Sequence, residues 1–172
     1  MHTIDVRFRR KVEEEDGRRV RSVVQSTGFF SAEEADIAVE LVLERLEAGP
    51  ESGYDFLFAE LGGGMAGYSC WGRIPGTASS YDLYWIVVRQ DLRGRGIGRE
   101  LMTRTEALIA EAGGTRVYIE TSSRGQYEST RSFYGRCGYE AEAVLKDFYA
   151  PGDGKVIYRK VLVPPSEPGA RA

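Results

Sequence analysis

The chain of 172 residues has one histidine, His2, and two cysteines, Cys70 and Cys137. That is too few of either for a structural zinc site. With the sole imidazole at the terminus, the Ser-His and Cys-His forms of nucleophilic catalysis have no general base. Thiols this sparse read as reduced rather than as a disulfide framework. No apolar run approaches the roughly 20 residues that cross a bilayer. No basic segment followed by an apolar stretch opens the chain, so a cytoplasmic protein with no membrane partner is expected. An excess of basic residues is missing too. Lys and Arg number 23 against 26 Asp and Glu, and the resulting net charge of -3 has the wrong sign for a nucleic-acid binder, which must neutralise phosphates. Chemistry is left to carboxylates, tyrosines and the backbone.

What remains is an ordinary globular composition, 42% hydrophobic and 28% charged, the balance of one domain around one core. A single domain is expected over residues 1–163. Residues 164–172 are proline-rich, small and polar, with nothing to bury, and are expected to be a disordered tail.

Periodicity supplies the elements. Ile4, Val6 and Phe8 alternate with Asp5, Arg7 and Arg9, the period of a half-buried strand. Val20, Val23, Val24 and Thr27 recur at helical spacing before Gly28. Ser31 stands three residues before Glu34, a capping box ahead of a helix whose apolar face is read as Ile37, Leu41, Val42 and Leu46, closed by Gly49-Pro50. Asp55 to Leu61 and Met65 to Gly72 form a hairpin around Gly62-Gly63-Gly64. Tyr84 to Val88 is apolar on both faces, as expected at the centre of a sheet. A helix with Leu101, Thr105, Leu108, Ile109 and Ala112 on one face leads to a strand over Val117 to Thr121. Tyr127 to Arg136 reads as a short helix. A last hairpin follows, with Ala141, Ala143 and Leu145 inward, a turn at Pro151 to Gly154 and a return from Val156 to Val163. The order predicts an α/β fold: a mixed, mostly antiparallel central sheet of about seven strands, helices on both faces, and one parallel crossover through the central helix.

The informative segment is Arg93-Gly94-Arg95-Gly96-Ile97-Gly98-Arg99, a glycine-rich loop that joins the buried strand to a helix start. The first amides of a helix have no internal partner, and Gly98 offers no side-chain oxygen to cap them. The helix dipole favours an anion there, the glycines allow close approach, and the arginines add positive charge. The glycines fall at 94, 96 and 98, which matches neither the dinucleotide-fold pattern nor a P-loop. Taken alone, the segment reads as either a pyrophosphate site or a surface turn with solvated arginines.

Arg93 to Gly98 matches in full the pattern [Gln/Arg]-x-x-Gly-x-[Gly/Ala], and Phe133-Tyr134-Gly135-Arg136-Cys137-Gly138-Tyr139 supplies an aromatic-Tyr pair followed by Gly-Tyr. With both segments in order, the chain resembles the GNAT superfamily of N-acetyltransferases from Ile4 to Val163. The resemblance implies acetyl-CoA as cosubstrate, with the amides of Arg93, Gly94, Arg95, Gly96, Ile97, Gly98 and Arg99 on its pyrophosphate. It also implies that the strand backbone at Ile86, Val87 and Val88 holds the pantetheine arm. Where many members carry Asn and Ala at the start of the second helix, this chain has Tyr127 and Thr130.

Tyr134 is the residue that resemblance assigns as acid to the leaving thiolate, since a phenol stays protonated at neutral pH. For the base, Glu120 is preferred, with Asp82, Tyr84 and a water relay as alternatives. Cys137 and Cys70 read as buried small residues, not nucleophiles. The early helices and last hairpin would wall the acceptor site, with the acidic helix at Glu33, Glu34, Asp36, Glu40, Glu44 and Glu47 either attracting a cation or merely solvated. Tyr54, Trp71, Tyr81, Trp85 and Tyr149 are candidates for an aromatic lining. The partner would be a small-molecule or peptide amine, and homodimer formation is left open. Rival readings are a non-catalytic acyl-CoA-binding sensor and a structural domain without a cofactor.

Overall fold

The computed structural model describes residues 5–162. His2, Ile4 and the tail at 164–172 therefore lie outside the described residues. The chain divides into two compact units, one of residues up to 72 plus 83–105, the other of residues 73–82 plus 106 onward. Among the described residues, β1 (Arg7–Arg9), β2 (Asp55–Leu61), β3 (Gly64–Arg73), β4 (Ser80–Val88), β5 (Arg116–Ser122), β6 (Glu140–Ala150) and β7 (Asp153–Val161) form a seven-stranded sheet in the order β1-β2-β3-β4-β5-β7-β6. The ladders of β1 with β2, β2 with β3, β5 with β7 and β6 with β7 are antiparallel, and that of β4 with β5 is parallel. This is the mixed sheet with helices that the element order predicted. Among the described residues, no helix is long and apolar enough to cross a membrane.

The first unit begins with β1 (Arg7–Arg9), shorter than the alternation suggested, and α1 (Asp16–Ser26). Arg9 was expected to face water. Its side chain is only 17% exposed, because its guanidinium forks onto the buried Asp16 at 2.8 and 2.9 Å and reaches Glu60 Oε1 at 2.8 Å. Asp16 also accepts the Glu13 amide, which holds the turn before α1.

The second helix, α2 (Ala32–Ala48), has the predicted capping box. Ser31 Oγ accepts the Glu34 amide at 3.1 Å, and Glu34 Oε2 accepts the Ser31 amide at 2.7 Å. Its inward face matches the one read only in part. Val42 is buried and Leu41 packs against the core, as read, and Ala35 and Ala38 are buried with them, whereas Ile37 and Leu46 face out with Leu43. Small alanines allow close packing on a sheet, and they pack with Val20, Val23 and Val24 against Phe56, Phe58, Tyr68 and Val87.

Strands β2 (Asp55–Leu61) and β3 (Gly64–Arg73) form the expected hairpin, and Gly62 and Gly63 turn it at φ 59° and 81°, backbone that favours glycine. A Cβ at Gly67 would lie 2.6 Å from the Val87 carbonyl oxygen, so this glycine lets β3 approach the next strand. That strand, β4 (Ser80–Val88), starts four residues earlier than the apolar run suggested. Its parallel ladder with β5 (Arg116–Ser122) covers Ser80, Tyr81 and Asp82, opposite Arg116, Val117 and Tyr118, and residues 83–88 lie beyond it. The first turns of α3 (Ile97–Glu111) complete the unit, with Leu101, Met102 and Thr105 buried and Thr105 bonded to Ser69 at 2.7 Å.

In the second unit, β5 pairs with β7 (Asp153–Val161), and β7 with β6 (Glu140–Ala150). Helix α4 (Glu128–Arg136) precedes β6, entered through a 3-10 turn at Gly125–Tyr127. The core here includes Tyr81, Ile109, Val117, Ile119, Tyr134, Tyr139 and Tyr158. Ala141, Ala143 and Leu145 were expected inward. Instead β6 is exposed along almost its whole length, with Leu145 at 42%. It is an edge strand with register shifts between Ala141 and Ala143 and between Leu145 and Ala150, and such shifts break the two-residue period.

Candidate functional site

The glycine loop lies in the first unit. After β4 the chain makes a 3-10 turn at Gln90–Leu92, anchored by buried Leu92 and by the Gln90 amide donating to Ser26 Oγ at 3.2 Å. Arg93 is extended, then Gly94 and Gly96 adopt φ 75° and 84°. Only glycine adopts this readily, so both are needed to bring the backbone round onto α3. Ile97 is buried and pins the helix start. The Glu100 amide donates to the Gly96 carbonyl at 3.1 Å, closing the first turn. The amides of Ile97, Gly98 and Arg99 come ahead of it, in the part of a helix that has no internal acceptor. A Cβ on Gly94 or Gly96 would meet none of the described atoms within 4 Å, so the loop surface is open above both. This donor set and open cradle fit a pyrophosphate.

The arginines divide. Arg89 is engaged with Asp91 at 2.6 and 3.0 Å, which holds the Asp91 carboxyl below its usual range. The Arg93 guanidinium lies 5.5 Å over the Phe29 ring and reaches Gln90 Oε1 at 3.5 Å. Arg95 and Arg99 are exposed. Of the strand positions, Val87 is buried, while Ile86 and Val88 are half-buried.

Glu120 and Tyr134 lie in the second unit. Tyr134 is 7% exposed on α4, its ring 5.6 Å from that of Tyr158, 5.9 Å from Phe133 and 6.3 Å from Tyr139. Burial pushes its phenol well above the ordinary value, so the hydroxyl stays protonated. The end of α4 is fixed by Gly138 at φ 88°, by the Tyr139 amide on the Tyr134 carbonyl at 3.0 Å, and by Lys160 Nζ donating to the Cys137 carbonyl at 2.8 Å. The same ammonium pairs with Glu106 at 2.7 Å.

Glu120, on β5, is half-exposed and meets Lys155 Nζ at 2.6 Å. Asp82 is half-buried, and its carboxyl is raised by burial and by the negative Glu120, with Lys155 opposing. Lys155 was missed by sequence reading. Only the β5–β7 register, which sets Thr121 opposite Val156 and Ser122 opposite Lys155, carries it beside Glu120, and no local spacing signals that.

Of the aromatic candidates, Trp71 and Tyr81 are core residues, 2% and 8% exposed, while Tyr149 is half-exposed. Tyr54 packs edge-on to Tyr84, and Trp85 to Phe30. On α2, Glu34 serves the cap and Asp36 pairs with Arg21, while Glu33, Glu40, Glu44 and Glu47 are exposed, a solvated face. Cys70 is buried, and burial raises its thiol well above the usual value; Cys137 caps α4. Neither position suits a nucleophile.

Comparison with known proteins bears on the fold and the family. The chain is 48% identical to a protein from Desulfovibrio desulfuricans whose crystal structure describes it as an acetyltransferase of the GNAT family. That match has a TM-score of 0.91 over 92% of this chain and 100% of the other. An aminoglycoside 6'-N-acetyltransferase from Enterococcus faecium superposes with a TM-score of 0.74 at 18% identity, over 94% and 98% of the two chains. PaiA N-acetyltransferase from Thermoplasma acidophilum, solved with coenzyme A, superposes at 0.70 and 18% identity, over 92% and 99%. Likeness at these lower identities shows the fold alone. No curated protein sequence matches the chain. The family model for the Acetyltransferase (GNAT) domain matches residues 52–141, just over half of the chain, a span that contains both the glycine loop and Tyr134. With the fold, the loop and this match in agreement, the chain belongs to the GNAT acetyltransferase family.

Proposed function

We propose that this chain transfers the acetyl group of acetyl-CoA to a primary amine by direct attack, with residues 1–163 acting as one acetyltransferase domain. The observation that carries the reading is the loop. Two left-handed glycines deliver open first-turn amides, with Arg95 and Arg99 beside them, and that is a site for a pyrophosphate anion. The backbone of Ile86, Val87 and Val88, beyond the parallel ladder, would hydrogen-bond the pantetheine arm. The amides of Arg93, Gly94, Arg95, Gly96, Ile97, Gly98 and Arg99 would hold the phosphates. Relatives solved with coenzyme A support this assignment.

Acetyl-CoA supplies an acyl group already activated as a thioester. The chain's task is the protons. An alkylammonium of pKa about 10.4 is neutral in roughly one molecule in a few thousand at pH 7, a cost of about 4.6 kcal/mol. Glu120 would take the amine's proton, its carboxylate held in one orientation by Lys155. Tyr134, kept protonated by burial, would hold a proton at its Oη for the departing sulfur.

The deciding experiment incubates the protein with acetyl-CoA and a broad panel of amines and reads thiol release. CoA should raise the melting temperature, since a ligand of the native state stabilises it by mass action, and at least one amine should give turnover. No shift at saturating CoA would overturn the reading. Binding without turnover on any amine would make the chain an acyl-CoA-binding sensor.

A further inference from the structure

The second unit has a feature that acetyl transfer alone does not require. The Lys155 ammonium sits 2.6 Å from Glu120 Oε2, 3.9 Å from the centroid of the Phe148 ring and 5.8 Å from that of Tyr149. Carboxylate on one side and aromatic faces on others is how proteins hold a cationic ligand. Here the occupant is the chain's own side chain, 13% exposed, while Glu120, Phe148 and Tyr149 are each about half exposed. The walls are open to solvent and the centre is filled from within.

Close approach of the strands fixes this filling. A Cβ at Gly154, the neighbour of Lys155, would lie 2.8 Å from the Leu145 carbonyl oxygen and 3.2 Å from Ser123 Oγ. The Gly154 amide donates to Ser123 Oγ, and the Ser123 amide donates to the Gly154 carbonyl, both at 2.8 Å. The start of β7 is thus held against β6 and the end of β5, and the Lys155 stem has a fixed origin. Among the described residues, the other groups that act electrostatically on this cluster include Asp82 from β4, Asp153 at the start of β7 and Tyr127 before α4. Asp153 is already taken by Ser122 and Arg124. Glu120 is paired with this one internal cation, and the negative charge of Asp82 adds to the field around them.

We propose that Lys155 is a specificity-determining residue, an internal ammonium that fills a Glu120–Phe148–Tyr149 cation cage and so restricts the acceptor to amines carrying one positive charge. The inference rests on the acetyltransferase reading only in calling the ligand an acceptor; the cage is a property of the second unit. With Lys155 in place, a second ammonium on the acceptor meets a like charge. Without it, the same ammonium finds a carboxylate and two ring faces unpartnered.

The test compares the parent, Lys155→Met and Lys155→Arg. Each is titrated by calorimetry, in the presence of saturating CoA, with butylamine and with its diamine counterpart putrescine. Methionine keeps the apolar stem over the rings and removes the charge; arginine keeps the charge. The preference for putrescine over butylamine should rise roughly tenfold in Lys155→Met, the worth of one cation–π contact and one half-exposed ion pair, and should return to the parent's value in Lys155→Arg. An equal preference in all three proteins, or a rise in Lys155→Arg matching that in Lys155→Met, overturns the proposal, as does loss of putrescine binding in a Lys155→Met protein that still binds CoA. A shifted preference with no thiol release from any amine would instead remove the acetyltransferase reading and leave the cage standing.

Discussion

Replacing Tyr134 by Phe removes one oxygen and leaves the ring that packs against Phe133, Tyr139 and Tyr158. Stability and CoA affinity should therefore hardly change, and only the proton at Oη is lost. Burial raises this phenol well above its ordinary value near 10, whereas a thiol ordinarily titrates near 8.5. Handing the proton to a thiolate is thus uphill, by about 1.4 kcal/mol for each unit of difference. General acids contribute about a hundredfold to ten-thousandfold, and an uphill donor to a good leaving group belongs at or below the lower end of that range. We expect kcat to fall roughly ten- to a hundredfold. The pH dependence carries a second signature. Because burial disfavours the phenolate, the hydroxyl stays protonated throughout the working range, and the ratio of parent to variant kcat should be flat from about pH 6 to pH 10. The assay is thiol release under conditions where a solvent isotope effect shows chemistry to be rate-limiting. A transition-state interaction lowers kcat and kcat/KM together. If Tyr134→Phe turned over at the parent's rate under those conditions, Tyr134 would be a packing residue and the donor a water or another group.

Three further outcomes follow from the geometry. Gly96→Asp and Gly96→Asn both force a side chain onto φ 84°, which Asp and Asn tolerate alike. Asp alone should abolish CoA binding by calorimetry, and equal affinities would remove the loop from the phosphate site. Glu120→Gln should lower turnover more at pH 7 than at pH 9.5, where the amine is already partly neutral, and equal losses would dismiss it as the base. Tyr68 is fully buried and its hydroxyl finds no hydrogen-bond partner among the described residues. Tyr68→Phe should therefore leave stability to chemical denaturation unchanged or raise it by about 1 kcal/mol; a loss of 2 kcal/mol or more would mean that the hydroxyl is bonded.

Legibility in the sequence tracked the distance over which each feature is encoded. The Ser31–Glu34 cap and the Gly62-Gly63 turn are each written within a few consecutive residues and were read from those residues alone, whereas the loop from Arg93 to Arg99, equally local, was read as an anion site only with the family resemblance beside it. The inward face of α2 was read only in part. Val42 and Leu41 pack inward as their spacing suggested, but apolar residues lie on more than one side of that helix, and only the sheet decides that Ala35 and Ala38 go inward rather than Ile37 and Leu46. The burial of Arg9 depends on Glu60, 51 residues away. At the candidate site the same division holds: the glycine-rich loop stands out as one contiguous segment, but the partner of Glu120 does not, because Lys155 reaches it only through the β5–β7 register.

The longest strand, β6, has a neighbour on one side only among the described residues, and Val144, Leu145, Phe148 and Tyr149 are exposed along it. A straight, apolar edge of this kind is a growth face, onto which a strand from another molecule can dock and expose the next edge in turn. What interrupts it is irregularity. Two register shifts break the line, and Asp147 holds φ 54°, where its carboxylate accepts the Gly152 amide at 2.7 Å. These kinks look like defects in a sheet, but they act as a stopper against self-templating. Straightening β6 to gain regular strand geometry would lengthen the exposed ladder and turn the edge into a seed for fibres.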